Sequence, residues 1–300
     1  MNHRHYKLVF SKIRDMLVAV SEAANSHNDG ARGETMGTSS RSQGCGYAVK
    51  QSFAALLMAF QAFAPTIGNA QAIANDPNQA GSKPMVLAAG NGTPVINIIP
   101  PNSQGVSLNQ FNQYNIGTAG VVLNNSGGLN QTQLAGYVQG NPMLGNASAS
   151  TIINQVTQMN GANGSSINGF HEIAGNKANL VIANPNGMSV NGAGFINAAN
   201  VTLTTGTPQL NTGALSGFNV TQGTIAVNGD GLNATNLDKI TLISRAAQVN
   251  AGIWAKQADL ILGANQVAAD NSGHPVNITA QQGTGTAPQF ALDVSQLGSM

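Results

Sequence analysis

The chain has 300 residues, a formal net charge of +1, one cysteine and 36 glycines. Charged residues make up 8% of it, against roughly 25% in ordinary globular domains. So little charge excludes a nucleic-acid binder, which needs a phosphate-neutralising stripe, and it excludes the self-repelling kind of disorder.

The charge is unevenly placed. Residues 1–72 hold seven of the twelve Lys and Arg and four of the eleven acids, so a basic front precedes a slightly acidic remainder. The first block is MNHRHYKLVFSKIRDMLVAVSEAA (1–24), in which 13–20 alone fits the start of an amphipathic helix. Residues 25–46 are polar and Gly/Ser-rich, the composition of a linker. Next, Lys50 precedes an apolar run over 53–64, and Ala70-Gln71-Ala72 is a small-residue cleavage pattern. Basic flank, apolar core and cleavage site in that order describe a secretory signal peptide over 47–72, cut at Ala70 and Ala72. The apolar run is shorter than the roughly 18–20 residues of a spanning helix, which argues against a retained anchor. Residues 1–72 far exceed the roughly 15–30 of an ordinary signal peptide. With Asn2, Tyr6, Lys7, Phe10, Arg14, Val18, Val20 and Glu22 in place, the first block resembles the extended signal peptide of autotransporters and two-partner exoproteins. The expected organisation is a long cleavable leader, 1–72, and an exported domain, 73–300. Removing the leader also removes Cys45, so the exported part has no thiol and must rely on burial and backbone pairing.

From residue 73 the chain reads as β-structure. Residues 73–110 are irregular, with Pro77, Pro84, Pro94, Pro100 and Pro101, and 95–99 is expected to pair across the first rung as a cap. Further on, Asn184-Pro185-Asn186-Gly187 fits a type I turn: Asn first, Pro fixing φ at the second place, Gly fourth. Short apolar runs recur at 180–182, 201–203, 225–227, 240–242, 260–262 and 276–278. Spacings near 20 residues are those of stacked coils. Several runs alternate, Val201/Thr202/Leu203/Thr204 among them, which predicts one face in a core and the other in water. Nothing between them is long enough for the helices of a doubly wound sheet. The expected fold is all-β: a right-handed parallel β-helix of about ten rungs with an N-terminal cap. An antiparallel sandwich is the alternative. Residues 290–294 still alternate and only six follow, the pattern expected of the front of a longer exoprotein.

Candidate chemistry is sparse. His171-Glu172 is the most enzyme-like pair, but strand neighbours point to opposite faces, and a surface histidine beside a solvated carboxylate is expected. The nearest approach to a polysaccharide-cleaving cluster is Asp238, Lys239, Arg245 and Asp259. Asn228-Gly229-Asp230-Gly231 looks like a fragment of a calcium-binding repeat, present once. Trp254 is expected to plug a core or corner, or, if exposed, to contact a partner. No catalytic residue, metal or cofactor is expected.

A family resemblance runs through the domain. In order come Gly140-Asn141-Pro142-Met143-Leu144-Gly145, Asn154-Gln155-Val156, Ile167-Asn168-Gly169-Phe170, Glu172-Ile173-Ala174-Gly175, Asn184-Pro185-Asn186-Gly187, Gly192-Ala193-Gly194-Phe195-Ile196-Asn197, Ile253-Trp254-Ala255 and Gly263-Ala264-Asn265. This series resembles the two-partner secretion (TPS) domain of filamentous haemagglutinin-type exoproteins, with Met143 departing from the usual Asn-Pro-Asn-Leu. Together with the leader and Ala291-Leu292-Asp293-Val294 it is similar to contact-dependent growth inhibition exoproteins and large adhesins. The resemblance implies a non-enzymatic secretion-targeting domain of a large exported adhesin or growth-inhibition exoprotein. Its partners would be the Sec machinery, through the leader, and a TpsB-type outer-membrane transporter, through periplasmic POTRA domains. It assigns secretion or transporter recognition to Asn141, Pro142, Leu144, Asn184, Pro185, Asn186 and Gly187. The product would pass through the periplasm of a Gram-negative bacterium to the cell surface or medium, and regions beyond residue 300 would carry cargo and any target-cell receptor contact. The alternatives are a self-contained adhesive β-helix and a polysaccharide-active β-helix enzyme.

Overall fold

The structure, a computed structural model, describes residues 6–11, 16–21, 72–159 and 164–294. It divides into two units, Met1–Thr66 and Ile67–Met300. In the first, strand Tyr6–Ser11 pairs antiparallel with Met16–Ser21. Residues 16–20 are therefore extended and not helical, in keeping with the β-branched Val18 and Val20, and 13–15 lie outside the described residues. Ala70 lies outside the described residues.

The second unit is a parallel β-helix with three faces, and each coil runs through the first, third and second face in turn. The first face stacks Val106–Tyr114, Thr151–Val156, Ala178–Ala183, Ala198–Thr204, Lys239–Ser244 and Ala258–Leu262, all parallel. The second stacks Pro94–Asn97, Val121–Asn125, Phe170–Gly175, Ala193–Ile196, Leu232–Ala234 and Ile253–Ala255. The third stacks Ser165–Ile167, Met188–Val190, Thr224–Val227, Ala246–Val249 and Leu292–Asp293. The parallel pairing of all three faces settles the choice against a sandwich. Inward columns follow the register: Ile152, Leu180, Val201 and Ile240 stack on one line, Ile182, Leu203, Leu242 and Leu260 on the next. Each fully buried side chain of this kind is worth about 1.5–3 kcal/mol before entropy is subtracted. Asparagines form shorter ladders at the coil edges, with amide-to-amide bonds Asn124–Asn97 (2.8 Å), Asn200–Asn179 (2.9 Å) and Asn250–Asn228 (2.8 Å).

The cap differs from the expectation. Pro94–Asn97 joins the second face parallel to Val121–Asn125, and the closing is done by antiparallel strands outside it. Met85–Ala88 covers the end of the second face and Ile73–Asn75 the end of the first.

Two side sheets explain why the first face has six parallel strands among the described residues instead of about ten rungs. Thr207–Asn211, Ala214–Val220, Asn265–Ala269 and Pro275–Ala280 form a four-stranded antiparallel sheet. Leu215, Phe218, Val220, Val267 and Ala269 on it pack against the outward side chains Val106, Ile153, Val181, Ala183 and Ile243. The outer side of the first face is thus buried and not wet: Thr202 and Thr204 are 2% and 0% exposed. Of the six runs read as successive rungs, 225–227 lies on the third face and 276–278 on the side sheet. A hairpin, Asn130–Thr132 with Gly136–Val138, covers part of the second face, where Val138 and Ala135 meet Val95, Val122 and Ala174.

Candidate functional site

Both asparagine–proline motifs form the same local structure at different corners. The Asn184 motif turns the chain from the first to the third face; the Asn141 motif returns it from the hairpin to the first face. In each, the leading asparagine accepts two bonds across its own turn. The Asn184 carbonyl accepts the Gly187 N–H (3.0 Å) and its Oδ1 the Asn186 N–H (2.9 Å). The Asn141 carbonyl accepts the Leu144 N–H (3.2 Å) and its Oδ1 the Met143 N–H (3.0 Å). Asparagine suits this place because its side chain mimics a backbone turn.

The remaining amide protons tie each corner to other coils. Asn184 Nδ2 donates to Ser165 Oγ (2.9 Å) and its N–H to the Thr204 carbonyl (2.9 Å). Asn141 Nδ2 donates to the carbonyls of Ile98 (2.8 Å) and Asn124 (3.1 Å). Asn186 reaches back to the Gln158 carbonyl through its side chain, a bond that Met143 at the matching place of the first motif lacks the donor to make. Gly187 has φ +106°, and a Cβ there would stand 2.9 Å from the Thr224 carbonyl oxygen of the following coil, so the close stacking requires glycine.

Burial decides how these residues can act. Asn184 is 0% and Asn141 1% exposed, Leu144 sits in the main core, and Pro185 and Gly187 are buried. Of the seven, Pro142 alone is exposed, and it lines an apolar groove of about 410 Å³ with Met85, Leu87 and Tyr137. In the folded domain the other six offer a partner almost nothing but the half-buried Asn186.

The remaining candidates fall out differently from the expectation. His171 is not on the surface: it is fully buried, facing the inside of the coil. Glu172 points the other way, as alternation requires, but it is 5% exposed and not solvated. Its Oε1 and Oε2 accept the N–H groups of Gln133 (2.7 Å) and Leu134 (2.8 Å), latching the hairpin tip onto the second face. Trp254 is 51% exposed and plugs no core; its ring lies against the backbone of Gly231 and Gly252. Lys239 pairs with Asp259 (2.8 Å) on the adjacent rung, Lys177 approaches Asp238 (3.9 Å), and the Arg245 guanidinium binds the Thr284 carbonyl. These four residues are thus tied up in separate contacts. Among the described residues no three His, Cys, Asp or Glu side chains are placed to share a metal ion.

Sequence reasoning missed the Glu172 latch and a second clamp at Asn271. Asn271 Oδ1 accepts the Leu215 N–H (2.9 Å), its Nδ2 donates to the Gln104 carbonyl (2.9 Å), and its own carbonyl accepts Thr151 Oγ1 (2.7 Å). The 39-residue gap between the runs starting at 201 and 240 was the available signal, since a coil of about 20 residues leaves room for an inserted hairpin.

The chain belongs to the TPS secretion domain family, whose profile matches residues 70–300, and residues 1–58 match the extended signal peptide of the type V secretion system. A crystal structure of a filamentous hemagglutinin secretion domain is similar, with TM-score 0.65 and 35% identity over 74% of this chain and 73% of that one. The chain is 40% identical to a Toxin CdiA of Yersinia pestis over 306 residues, covering 100% of this chain and 9% of that protein. It is 45% identical to a 16S rRNA endonuclease CdiA of Enterobacter cloacae over 254 residues, 84% of this chain and 7% of that protein. It therefore spans less than a tenth of the length of these relatives. Leader and domain together mark a secreted protein of the Gram-negative cell surface.

Proposed function

We propose that residues 73–300 are a secretion-targeting module read by a TpsB-type outer-membrane transporter through its periplasmic POTRA domains. Residues 1–72 deliver the chain to the Sec machinery and are removed after Ala72. The module carries no catalysis of its own. The CdiA relatives are named as toxins and nucleases, and this chain aligns with a small fraction of each. In our reading it fronts a contact-dependent growth-inhibition exoprotein, with toxin and receptor-binding regions lying beyond residue 300.

The observation that carries this reading is the burial of Asn141, Asn184, Pro185 and Gly187. Side chains hidden in the finished fold are available to a transporter only while the chain is still extended. Afterwards they act as corners that lock each new coil to the previous one. The periplasm supplies no ATP, so each coil that closes outside the cell opposes back-sliding, with burial of its apolar columns as the bias. Asn184→Ala and Gly187→Ala test this in cells carrying the cognate transporter. Surface display should be lost while a conservative exposed change, Thr235→Ser, leaves it intact; normal display of both corner variants would sink the reading.

A further inference from the structure

Among the described residues, one histidine lies fully buried inside the coil. His171, on Phe170–Gly175, lies in a column of rings: its centroid is 5.9 Å from Tyr114 and 5.8 Å from Phe195, and Tyr114 is 5.1 Å from Phe111. Phe195 is its register partner on the next coil and Val121 its partner on the previous one. The Tyr114 hydroxyl is occupied by Asn154 Nδ2 (3.0 Å), and neither imidazole nitrogen meets a partner in normal hydrogen-bond geometry. A column of side chains held by three successive coils has no room for a charge without a counter-ion.

We propose that His171 makes the fold sensitive to protons: the coils that enclose it close on a neutral imidazole, and mild acid weakens them. The side chains that face it are Tyr114, Phe195 and Val121, none of which can neutralise an imidazolium, and the Gly169 backbone beside it carries no charge. Burial pushes the Tyr114 phenol up, far from the acid range. The other buried acids do not compensate: Glu172 faces outward to Gln133 and Leu134, and Asp76 is held by Thr157 Oγ1 (2.6 Å) and the Asn78 N–H (2.8 Å). Those bonds, the Thr157 hydroxyl first, keep the Asp76 carboxyl below its usual range, so it titrates in stronger acid than the window used here.

Burial pulls the His171 imidazole down to about 3, with the Gly169 backbone offsetting a part of the effect. An unfolded histidine titrates near ~6.5, so through this window the unfolded chain binds the proton and the folded chain does not. Stability from this site is complete above about pH 6.5, falls as the pH drops toward 3, and changes no further below that. Between pH 7.5 and 5.0 the unfolding equilibrium constant should rise about thirtyfold from this one residue.

The test is denaturant unfolding of the 300-residue chain at pH 7.5 and 5.0 beside His171→Phe and His171→Leu. The expected result is a pH dependence about thirtyfold smaller in both His171 variants than in the wild-type chain. A second measurement, the ring resonance of His171 in the folded wild-type chain, should stay at its neutral position down to pH 5. Wild-type and His171 variants with parallel pH profiles would overturn the proposal. So would a His171 resonance that titrates near neutral pH in the folded protein, and this readout decides the matter should neither variant fold.

Discussion

Asn184 makes the corner argument quantitative. Replacing it with alanine leaves the Asn186 N–H and the Ser165 hydroxyl without their partner inside the fold, a loss of about 1–3 kcal/mol. Gly187→Ala adds a strained backbone and a Cβ against the Thr224 carbonyl, with an expected cost of about 1–3 kcal/mol. Chemical denaturation of the purified chain checks both, and a change below about 0.5 kcal/mol in either would remove the corner from the account. Aspartate at 184 is the sharper probe, since it keeps the acceptor Oδ1 and loses the donor to Ser165. Because its carboxylate would be fully buried without a counter-ion, it should be no more stable than the alanine variant at neutral pH.

At the scale of elements, the hairpin and the side sheet are separable additions to the coil. Glu172→Ala removes the acceptor for two backbone N–H groups at the hairpin tip. Limited proteolysis should then cut within 126–140 while the coil beyond residue 150 stays protected. Cleavage spread evenly along the chain would contradict the latch. Phe218→Ala, in the layer between side sheet and first face, should cost about 3–5 kcal/mol because it opens a cavity in a closed core.

The sequence exposed the coil more readily than its additions. Leu180, Val201, Ile240 and Leu260 lie in strands stacked on one face because their spacing tracks the coil length, which is a local property. The turn at Asn184 was legible for the same reason. The side sheet was not, because its strands pair across large separations, Phe218 with Val267 for example, and no short-range pattern encodes that partner choice. His171 and Glu172 were misplaced for a related reason. Alternation correctly put them on opposite sides, but their burial comes from Tyr114, Phe195 and the hairpin, which a local reading does not bring near.

For the whole molecule, low charge, absence of thiols from residue 73 onward and coil-by-coil pairing serve one purpose in this account: a chain that crosses the envelope extended and folds afterwards. Six of the seven motif residues are then readable in the extended state and largely hidden in the folded one. The most direct measurement is binding of the transporter's isolated periplasmic domains to the leaderless chain, native on one side and held unfolded in mild denaturant on the other. The account predicts binding to the unfolded chain, lost on Asn184→Ala, and little to the native one. Equal or tighter binding to the native domain, indifferent to Asn184, would contradict it.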